Sequence, residues 1–425
     1  MGLFLLEVTV AQAQRTYLHC GRIADVEGRR FLNQMTIIVD SDTIQSIEKD
    51  YLPALDDGDK VVDLSDHTVL PGLFDMHVHM EFQQSRDSYM KDFTENPADI
   101  AFESAVYAKA TLLAGFTTVR DLGGSGVNIA LRNAINKGLV AGPRMYSAGK
   151  AIGTTGGHAD PTNGYRRDLM GDPGPVDGVI NGTAEAMKAV RQRYKNGADV
   201  IKVMATAGVL SIEKDGSGPQ MTMEELRAVV QIAGDYGMLT AAHAHGDEGI
   251  RRAVLAGINT IEHGTYMSEE TMDLMISHGT WYCPTITAGK TVEQMAKIPG
   301  YYPDVIVPKA LAIGPQIQST FAKACAKGVK IIFGTDAGVY PHGENAREFT
   351  YMVDGGMKPW AALRSATIVP AKLLKADDRT GSIAVGKYAD IIAVPGNPIE
   401  DISIMEKVDF VMKGGVVYKE RPGTE

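Results

Sequence analysis

Several histidines in this sequence stand where a metal ion could be bound. His77 and His79 are two residues apart in the stretch GLFDMHVH. Because side chains alternate along a strand, both imidazoles would project from the same side and could grip one ion. His243, His263 and Asp336 each follow a short apolar run in a similar way. Together these side chains form a nitrogen and oxygen donor set suited to Zn²⁺ or a similar divalent ion.

Lys202 occupies the corresponding place after the apolar residues Val200 and Ile201. A plain ammonium is a poor ligand beside a dication, because the two positive charges repel each other. A desolvated lysine with a lowered pKa can instead add carbon dioxide, and the resulting carbamate is an anion that can bridge two metals. The alternative is a lysine that extends to the rim of the domain or pairs with Asp336.

Each of these residues also has a purely structural interpretation. One His-x-His on a strand is a weak signal, and His243 or His263 alone would more often be a hydrogen-bonded core histidine. Asp336 alone would be explained as a turn residue before Ala-Gly. Their recurrence at the ends of successive strands, in order, favours a shared metal site.

A repeated unit between Pro71 and about Lys375 provides those strands: a helical pattern, a glycine, and a short apolar strand ending in polar residues. A glycine just past a helix closes it in the left-handed conformation. The glycines predicted to do so are Gly115, Gly197, Gly237, Gly257, Gly279 and Gly328. The eight predicted strands are 72–79, 116–121, 143–149, 199–206, 239–246, 260–264, 281–287 and 330–338.

Eight strands alternating with helices over about 300 residues predict a (β/α)8 TIM barrel of the α/β class. In such a barrel the carboxyl ends of the strands share one mouth, which would bring the predicted ligands together. The alternative is a doubly wound open sheet. That fold would require a glycine-rich phosphate turn after its first strand, and the chain has no GxGxxG opening a helix.

The flanks of the barrel are β-rich and short. Each is too small to bury a core alone, so the two are predicted to form one small composite β-sandwich domain. The predicted organisation is residues 1–70 for the N-terminal part of this domain, 71–375 for the catalytic barrel and 376–425 for the C-terminal part.

Composition excludes several classes of function. The chain has 425 residues, a formal net charge of −10 and ordinary apolar content, which give no support to a nucleic-acid or anionic membrane surface. No apolar stretch approaches the ~20 residues that cross a bilayer. Its three cysteines fit no disulfide framework and no CxxC zinc site.

The N-terminus leaves the compartment open. Residues 1–13 begin apolar and end in Ala11-Gln12-Ala13, which resembles a signal-peptide cleavage site. The basic segment of a complete signal is missing, and Glu7 interrupts the apolar stretch. The segment is interpreted as the remnant of an export signal or as ordinary N-terminal residues, so cytoplasmic and periplasmic or exported locations both stay open.

Longer motifs carry a family resemblance that covers nearly the whole chain. The strings are PGLFDMHVH, ADVIKVMATAG, AAHAHG, IEHG, GTDAG and GKYADIIAVPGNP. They resemble the amidohydrolase superfamily and, within it, the imidazolonepropionase-related dipeptidases of the prolidase type, a branch that includes the ochratoxin-hydrolysing amidases. The resemblance implies two divalent metal ions, most simply Zn²⁺. His77, His79 and Asp336 would bind one ion, His243 and His263 the other, with carboxylated Lys202 bridging.

The same resemblance implies an amide hydrolase that releases a C-terminal amino acid from dipeptides or N-acyl amino acids. A hydroxide shared by the two metals would attack the scissile carbonyl. Asp336 would take its proton and deliver it to the departing amine. Opening of a cyclic amide, as in imidazolonepropionase or hydantoinase, is the alternative reaction. A catalytically inactive scaffold is a further alternative, but it would be expected to have lost metal ligands.

Substrate contacts are less clear from the sequence. His158, in the glycine-rich loop after the third strand, is a candidate for polarising the substrate carbonyl or binding its carboxylate, with a structural loop role as the alternative. His245 is interpreted as a supporting or structural residue. The loop 80–95, with Ser88 and Tyr89, is expected to line the pocket. The expected partner is a small molecule or dipeptide, without nucleic acid or membrane. The resemblance also favours a homo-oligomer of undetermined size.

Overall fold

The structure, a computed structural model, describes residues 14–213 and 216–420, so residues 1–13 of the N-terminal interpretation lie outside it. Its strands are β1 (Arg15–Asp25), β2 (Arg30–Asp40), β3 (Thr43–Lys49), β4 (Lys60–Pro71), β5 (Leu73–Val78), β6 (Phe116–Asp121), β7 (Arg144–Ser147), β8 (Gly153–Thr154), β9 (Val179–Ile180), β10 (Val200–Met204), β11 (Leu239–Ala244), β12 (Thr260–His263), β13 (Trp281–Cys283), β14 (Lys330–Ile331), β15 (Ile391–Pro395), β16 (Phe410–Lys413) and β17 (Val416–Lys419). The helices are α1 (Ser88–Thr94), α2 (Pro97–Leu113), α3 (Val127–Asn136), α4 (Arg167–Met170), α5 (Thr183–Lys195), α6 (Met223–Asp235), α7 (Asp247–Ala256), α8 (Glu269–His278), α9 (Ile286–Ala296), α10 (Val307–Lys327), α11 (Arg347–Asp354), α12 (Pro359–Ser365) and α13 (Ile368–Leu373), with a 3₁₀ helix at Ile402–Glu406.

The central domain is the predicted (β/α)8 barrel. Strands β5, β6 and β7 form one parallel run, and β10 to β14 form another in chain order. Parallel bridges from Ile152 to Val203 and from Val78 to Ala337 join the two runs at both ends. The barrel is therefore closed, and the carboxyl ends of its strands open on one face.

The helix-to-strand turns follow the predicted glycines. All six have positive φ, between 69° and 95°, which only glycine adopts without strain. At the opposite end of α6, the Thr222 side chain accepts from the Glu225 backbone while the Glu225 carboxylate accepts from Thr222 N–H. Local sequence signals thus set where these helices begin and end.

Most predicted strands lose one to three residues at their ends, and two are shortened much more. The prediction of 281–287 as strand is wrong after Cys283, because Pro284 offers no N–H for a ladder and Thr285 turns to φ 51° before α9 begins. Regular pairing of β14 ends at Ile331, although the chain beyond it stays bonded to β5. There Phe333 accepts from Met76 N–H at 3.0 Å, and Asp336 N–H donates to His77 at 2.7 Å.

The two flanks form one sheet domain, as predicted. The sheet has seven strands in the order β17-β16-β15-β4-β1-β2-β3, so strands from the C-terminus pair directly with those from the N-terminus. The sheet domain has a hydrophobic core of its own, which includes Leu18, Ile37, Val69, Ile391 and Phe410. Within the described ranges, no helix has both the length and the apolar character needed to cross a bilayer.

Candidate metal centre

The two predicted ligands on β5 lie close to the carboxylate of Asp336, which follows β14, at the barrel mouth. His77 and His79 project from the same side of β5, and their Nε2 atoms lie 3.4 and 3.2 Å from Asp336 Oδ1. All three side chains are largely buried, with exposed fractions of 1%, 16% and 12%. Their donor atoms lie close enough together for a single ion to contact all three.

A second group of imidazoles lies beside the first. His243 at the end of β11 and His263 at the end of β12 have ring centroids 4.6 Å apart. His245 completes this group, with its ring 4.8 Å from that of His263. The ring of His263 is also 5.0 Å from that of His77, so the two groups adjoin.

Lys202 lies where the groups meet. Its side chain is buried on β10, and Nζ is 3.5 Å from His77 Nε2. Burial lowers the pKa of the Lys202 amine to about 8, although the carboxylates of Glu262 and Asp336 oppose this shift. The structure therefore brings together all six side chains predicted as ligands, on β5, β10, β11, β12 and the segment after β14.

The second nitrogen of each imidazole predicted as a ligand is already engaged by the protein. His77 Nδ1 donates to Glu262 Oε2 at 3.0 Å, and His79 Nδ1 donates to the Gly123 carbonyl at 3.0 Å. The other two contacts are His243 Nε2 to Ala207 O at 3.3 Å and His263 Nδ1 to Thr285 Oγ1 at 2.8 Å. Such contacts fix the ring orientation and leave one nitrogen of each ring for an ion.

The electrostatics of the site favour the neutral imidazole, which is the form that binds metal, at His77, His243 and His263. Burial lowers the pKa of His77 to about 4, and it holds the pKa values of His243 and His263 well below the usual range. At His79 burial lowers the pKa, but the hydrogen bond and charge of Asp336 outweigh it and raise the pKa above its usual value. Burial raises the pKa of Asp336, but His77 and His79 outweigh this effect and keep it below its usual value. The donor set therefore fits a divalent cation in charge as well as geometry.

Backbone strain is concentrated at two of these residues. His263 has φ 69° and Asp336 has φ 62°, in the left-handed region that non-glycine residues rarely adopt. Each such residue costs about 1–3 kcal/mol and persists where the surroundings impose it. These conformations occur where the side chains turn from the strand ends into the barrel mouth.

His158 and His245 lie against the second imidazole group. The ring of His158 is 4.3 Å from that of His243, and its Nδ1 is buried without a hydrogen-bond partner among the described residues. Burial lowers the pKa of His158 to about 4. His245 Nδ1 contacts Thr265 Oγ1 at 2.8 Å. Both rings line the cavity above the site, so either can meet a substrate.

The cavity has a volume of about 290 Å³ and apolar walls. Phe82 and Gln84 come from the predicted loop 80–95, whereas Ser88 and Tyr89 of that loop are not among the lining residues. The apolar wall residues are Phe82, Met204, Val209, Leu210, Ala288, Val292, Ile313, Ile317 and Val339. Among the described lining residues, Asp336 is the only carboxylate.

Two buried charged residues beneath the site were missed by the sequence analysis. Arg120 on β6 and Glu262 on β12 are fully buried and paired at 2.9 Å. Strict alternation would place Glu262 and the adjacent His263 on opposite faces of β12. The left-handed turn at His263 instead allows both to face inward. The available signal was a charged residue near the carboxyl end of each of two short predicted strands, FTTVRD and TIEH.

Comparison with known proteins places the chain in a family. The family model described as Amidohydrolase family matches residues 68–418. Ochratoxinase of Aspergillus niger is 31% identical over 450 residues, covering 98% of this chain and 89% of that protein. Imidazolonepropionase of Micrococcus luteus is 24% identical over 380 residues, covering 86% of this chain and 88% of that protein.

Among solved structures, a Xaa-Pro dipeptidase with methionine bound in its active site is similar over the whole fold. It is 51% identical in sequence, with a TM-score of 0.92, and the match covers 96% of this chain and 100% of that one.

Proposed function

The chain belongs to the amidohydrolase family and is a hydrolase of carbon–nitrogen bonds, and from that premise we propose that it releases the C-terminal residue from dipeptides or N-acyl amino acids with the help of two divalent metal ions. The observation that carries this proposal is the meeting of two donor groups at Lys202, at the base of an apolar cavity. Neither donor group alone would distinguish this reaction from single-metal hydrolysis.

The residues divide into two ligand sets. His77, His79 and Asp336 would hold one ion, and His243 and His263 the other. Bound there, the two ions would supply an activated water and a Lewis acid for the amide carbonyl. The partnered second nitrogens support this division, because each ring presents only one free nitrogen to the space between the groups.

Lys202 would bridge the sets as a carbamate. Its amine is buried, has a lowered pKa, and lies 3.5 Å from His77 Nε2, where a positive charge would repel a cation. Reaction of the neutral amine with carbon dioxide replaces that charge with an anion. The alternative pairing of Lys202 with Asp336 would leave the ammonium inside the donor set.

Asp336 and His158 would act on the substrate. Asp336 stays ionised between His77 and His79, so it can accept the proton of the attacking water and pass it to the leaving amine. His158 sits beside His243 at the cavity wall with a buried, unpartnered Nδ1. There it would polarise the scissile carbonyl or hold the substrate carboxylate.

The cavity favours an apolar side chain on the released amino acid. A guanidinium or ammonium in the substrate would find no lining carboxylate other than Asp336 among the described residues, and burying an unpaired charge is costly. The names of the similar proteins, an ochratoxinase and a Xaa-Pro dipeptidase with bound methionine, support the same class. We therefore expect Xaa-Pro, Xaa-Met and N-acyl-phenylalanine substrates to be hydrolysed faster than Xaa-Arg dipeptides.

The decisive experiment combines metal content with a substrate panel. Purified protein is analysed by elemental mass spectrometry and assayed on Xaa-Pro, Xaa-Met, Xaa-Phe and Xaa-Arg dipeptides, on ochratoxin A and on hydantoins. We expect about two metals per chain and cleavage of the carboxylate-bearing amides. If only hydantoins were opened, the function would instead be hydrolysis of cyclic amides. A protein without metal or activity, even after reconstitution with Zn²⁺, Mn²⁺ or Co²⁺ and bicarbonate, would refute the proposal.

A further inference from the structure

A charged layer crosses the barrel interior directly below the candidate metal centre. Arg120 reaches across from β6, and its guanidinium donates to Met76 O at 2.7 Å, to Thr260 Oγ1 at 3.0 Å and to Glu262 Oε1 at 2.9 Å. These contacts tie β6 to β5 and β12. The guanidinium and the carboxylate are both completely inaccessible to solvent.

Glu262 uses its two oxygens for different partners. Oε1 accepts from Arg120, whereas Oε2 lies 3.0 Å from His77 Nδ1. Because a carboxylate oxygen accepts hydrogen bonds, the proton of the neutral imidazole is placed on Nδ1. The lone pair of His77 then lies on Nε2, the atom that faces Asp336 and Lys202.

Stability alone does not explain why this pair is retained. Taking two charges out of water costs several kcal/mol for each ion, and an apolar pair of similar volume is often as stable or more so. The interior of such a barrel is usually filled by branched aliphatic side chains. Because one carboxylate oxygen of this buried pair faces the His77 imidazole, the pair is expected to have a role at the site above it.

We propose that Glu262, held by Arg120, is a positioning residue that presents His77 Nε2 to a metal ion. The inference rests on the proposed function, since it requires that His77 be a ligand. Carboxylate partners of this kind orient metal-bound histidines and increase their basicity, and their loss typically weakens metal affinity by about 10- to 100-fold. Arg120 acts through Glu262 by fixing where the carboxylate lies.

Two substitutions test this role without substrate. Glu262→Gln keeps the shape but offers an amide whose N–H₂ group can also face His77. Glu262→Asp keeps the charge but withdraws the carboxylate from Nδ1. Metal affinity is measured by titration of a chelator against the metal-loaded protein. We expect one of the two ions to bind about 10- to 100-fold more weakly in both variants, and hydrolysis to recover when excess metal is added.

The matched control breaks a partly buried ion pair away from the site. Arg144 pairs with Asp390 at 2.6 Å between β7 and the sheet domain, so Asp390→Asn should lower the melting temperature and leave metal affinity unchanged. Wild-type affinity for both ions in folded Glu262→Gln and Glu262→Asp would overturn the inference while leaving the proposed function intact. A wild-type protein that binds no metal would instead refute the proposed function itself.

Discussion

The candidate site is defined by which nitrogen of each ring is free. Glu262, Gly123 and Ala207 each accept from an imidazole N–H, so the remaining nitrogen of His77, His79 and His243 is available as a lone-pair donor. Burial lowers the pKa values of His77 and His243 and so favours their neutral rings, whereas at His79 the effect of Asp336 outweighs burial and raises the pKa. The donors are therefore already ordered in the folded protein, so binding of an ion requires little reorganisation.

Lys202 provides a test at the level of one side chain. Lys202→Ala should lose metal, since no bridging anion remains, and added acetate or formate should restore part of the metal content and activity by occupying the space. Lys202→Arg should not respond to these acids, because its guanidinium fills the site and forms no carbamate. Metal content is measured with and without the acid. Full metal occupancy in Lys202→Ala without added acid would exclude a bridging carbamate.

Most of the candidate ligands lie on strands, but the elements around these strands determine how their side chains point. Thr285, which contacts His263 Nδ1, precedes α9 in a left-handed conformation. Glu348 on α11 holds the start of α9, because its buried carboxylate accepts from Ile286 N–H at 2.8 Å and Thr287 N–H at 2.7 Å. A carboxylate at a helix N-terminus satisfies backbone donors that the helix leaves unpaired.

Glu348 also predicts a pH dependence of stability. Burial raises the pKa of Glu348 from 4.5 to about 7, so the folded protein binds a proton that the unfolded chain releases in this range. The contribution of this group to the unfolding free energy therefore falls as pH rises from about 4.5 to about 7, by at most about 1.4 kcal/mol for each pH unit. Glu348→Gln should remove that contribution.

The measurement is urea unfolding of both proteins at several pH values between 5 and 8, with chelator present so that metal binding does not contribute. The difference in unfolding free energy between the two proteins should change with pH in the stated direction. A difference that stays constant over this range would show that the carboxyl titrates alike in the folded and unfolded states.

At the level of the whole molecule, segments from distant parts of the chain pair at two places. The barrel closes where β5 meets the segment after β14, as in the bond from His79 N–H to Ala337 O at 2.8 Å. The sheet domain is completed where β15 pairs antiparallel with β4, which places β15 between β4 and β16. Strands β15 and β16 are therefore interior to the sheet and contribute Ile391 and Phe410 to its core, whereas β17 lies at its edge.

This arrangement predicts the effect of truncation. A chain ending at Gly386 lacks β15 to β17, which leaves β4 as an unpaired edge and opens the core of the sheet domain, so we expect aggregation on expression. A chain ending at Gly414 lacks only the edge strand β17 and should stay folded with normal metal content. Soluble yield and metal content are compared for the two. Equal behaviour of both chains would contradict the structural role assigned to β15.

Local patterns were sufficient to predict much of this architecture. The period of two in His77 and His79, the glycines that end helices, and the order of strands depend on near neighbours in the chain, and each is found in the structure. The same spacing led to the six candidate ligands, which the fold brings to one place. The premature end of β13 was missed, since it depends on Thr285 turning away to begin α9.

The supporting contacts required the closed barrel. Arg120 and Glu262 are 142 residues apart, and each alone is only a charged residue in a short strand. Likewise β15 could not be placed beside β4 from local sequence, because strand pairing between the two ends of a chain is set by packing and register across the whole fold. Residue type and spacing identify which side chains can bind a metal, whereas contacts between distant strands decide which nitrogen of each ring is presented to it.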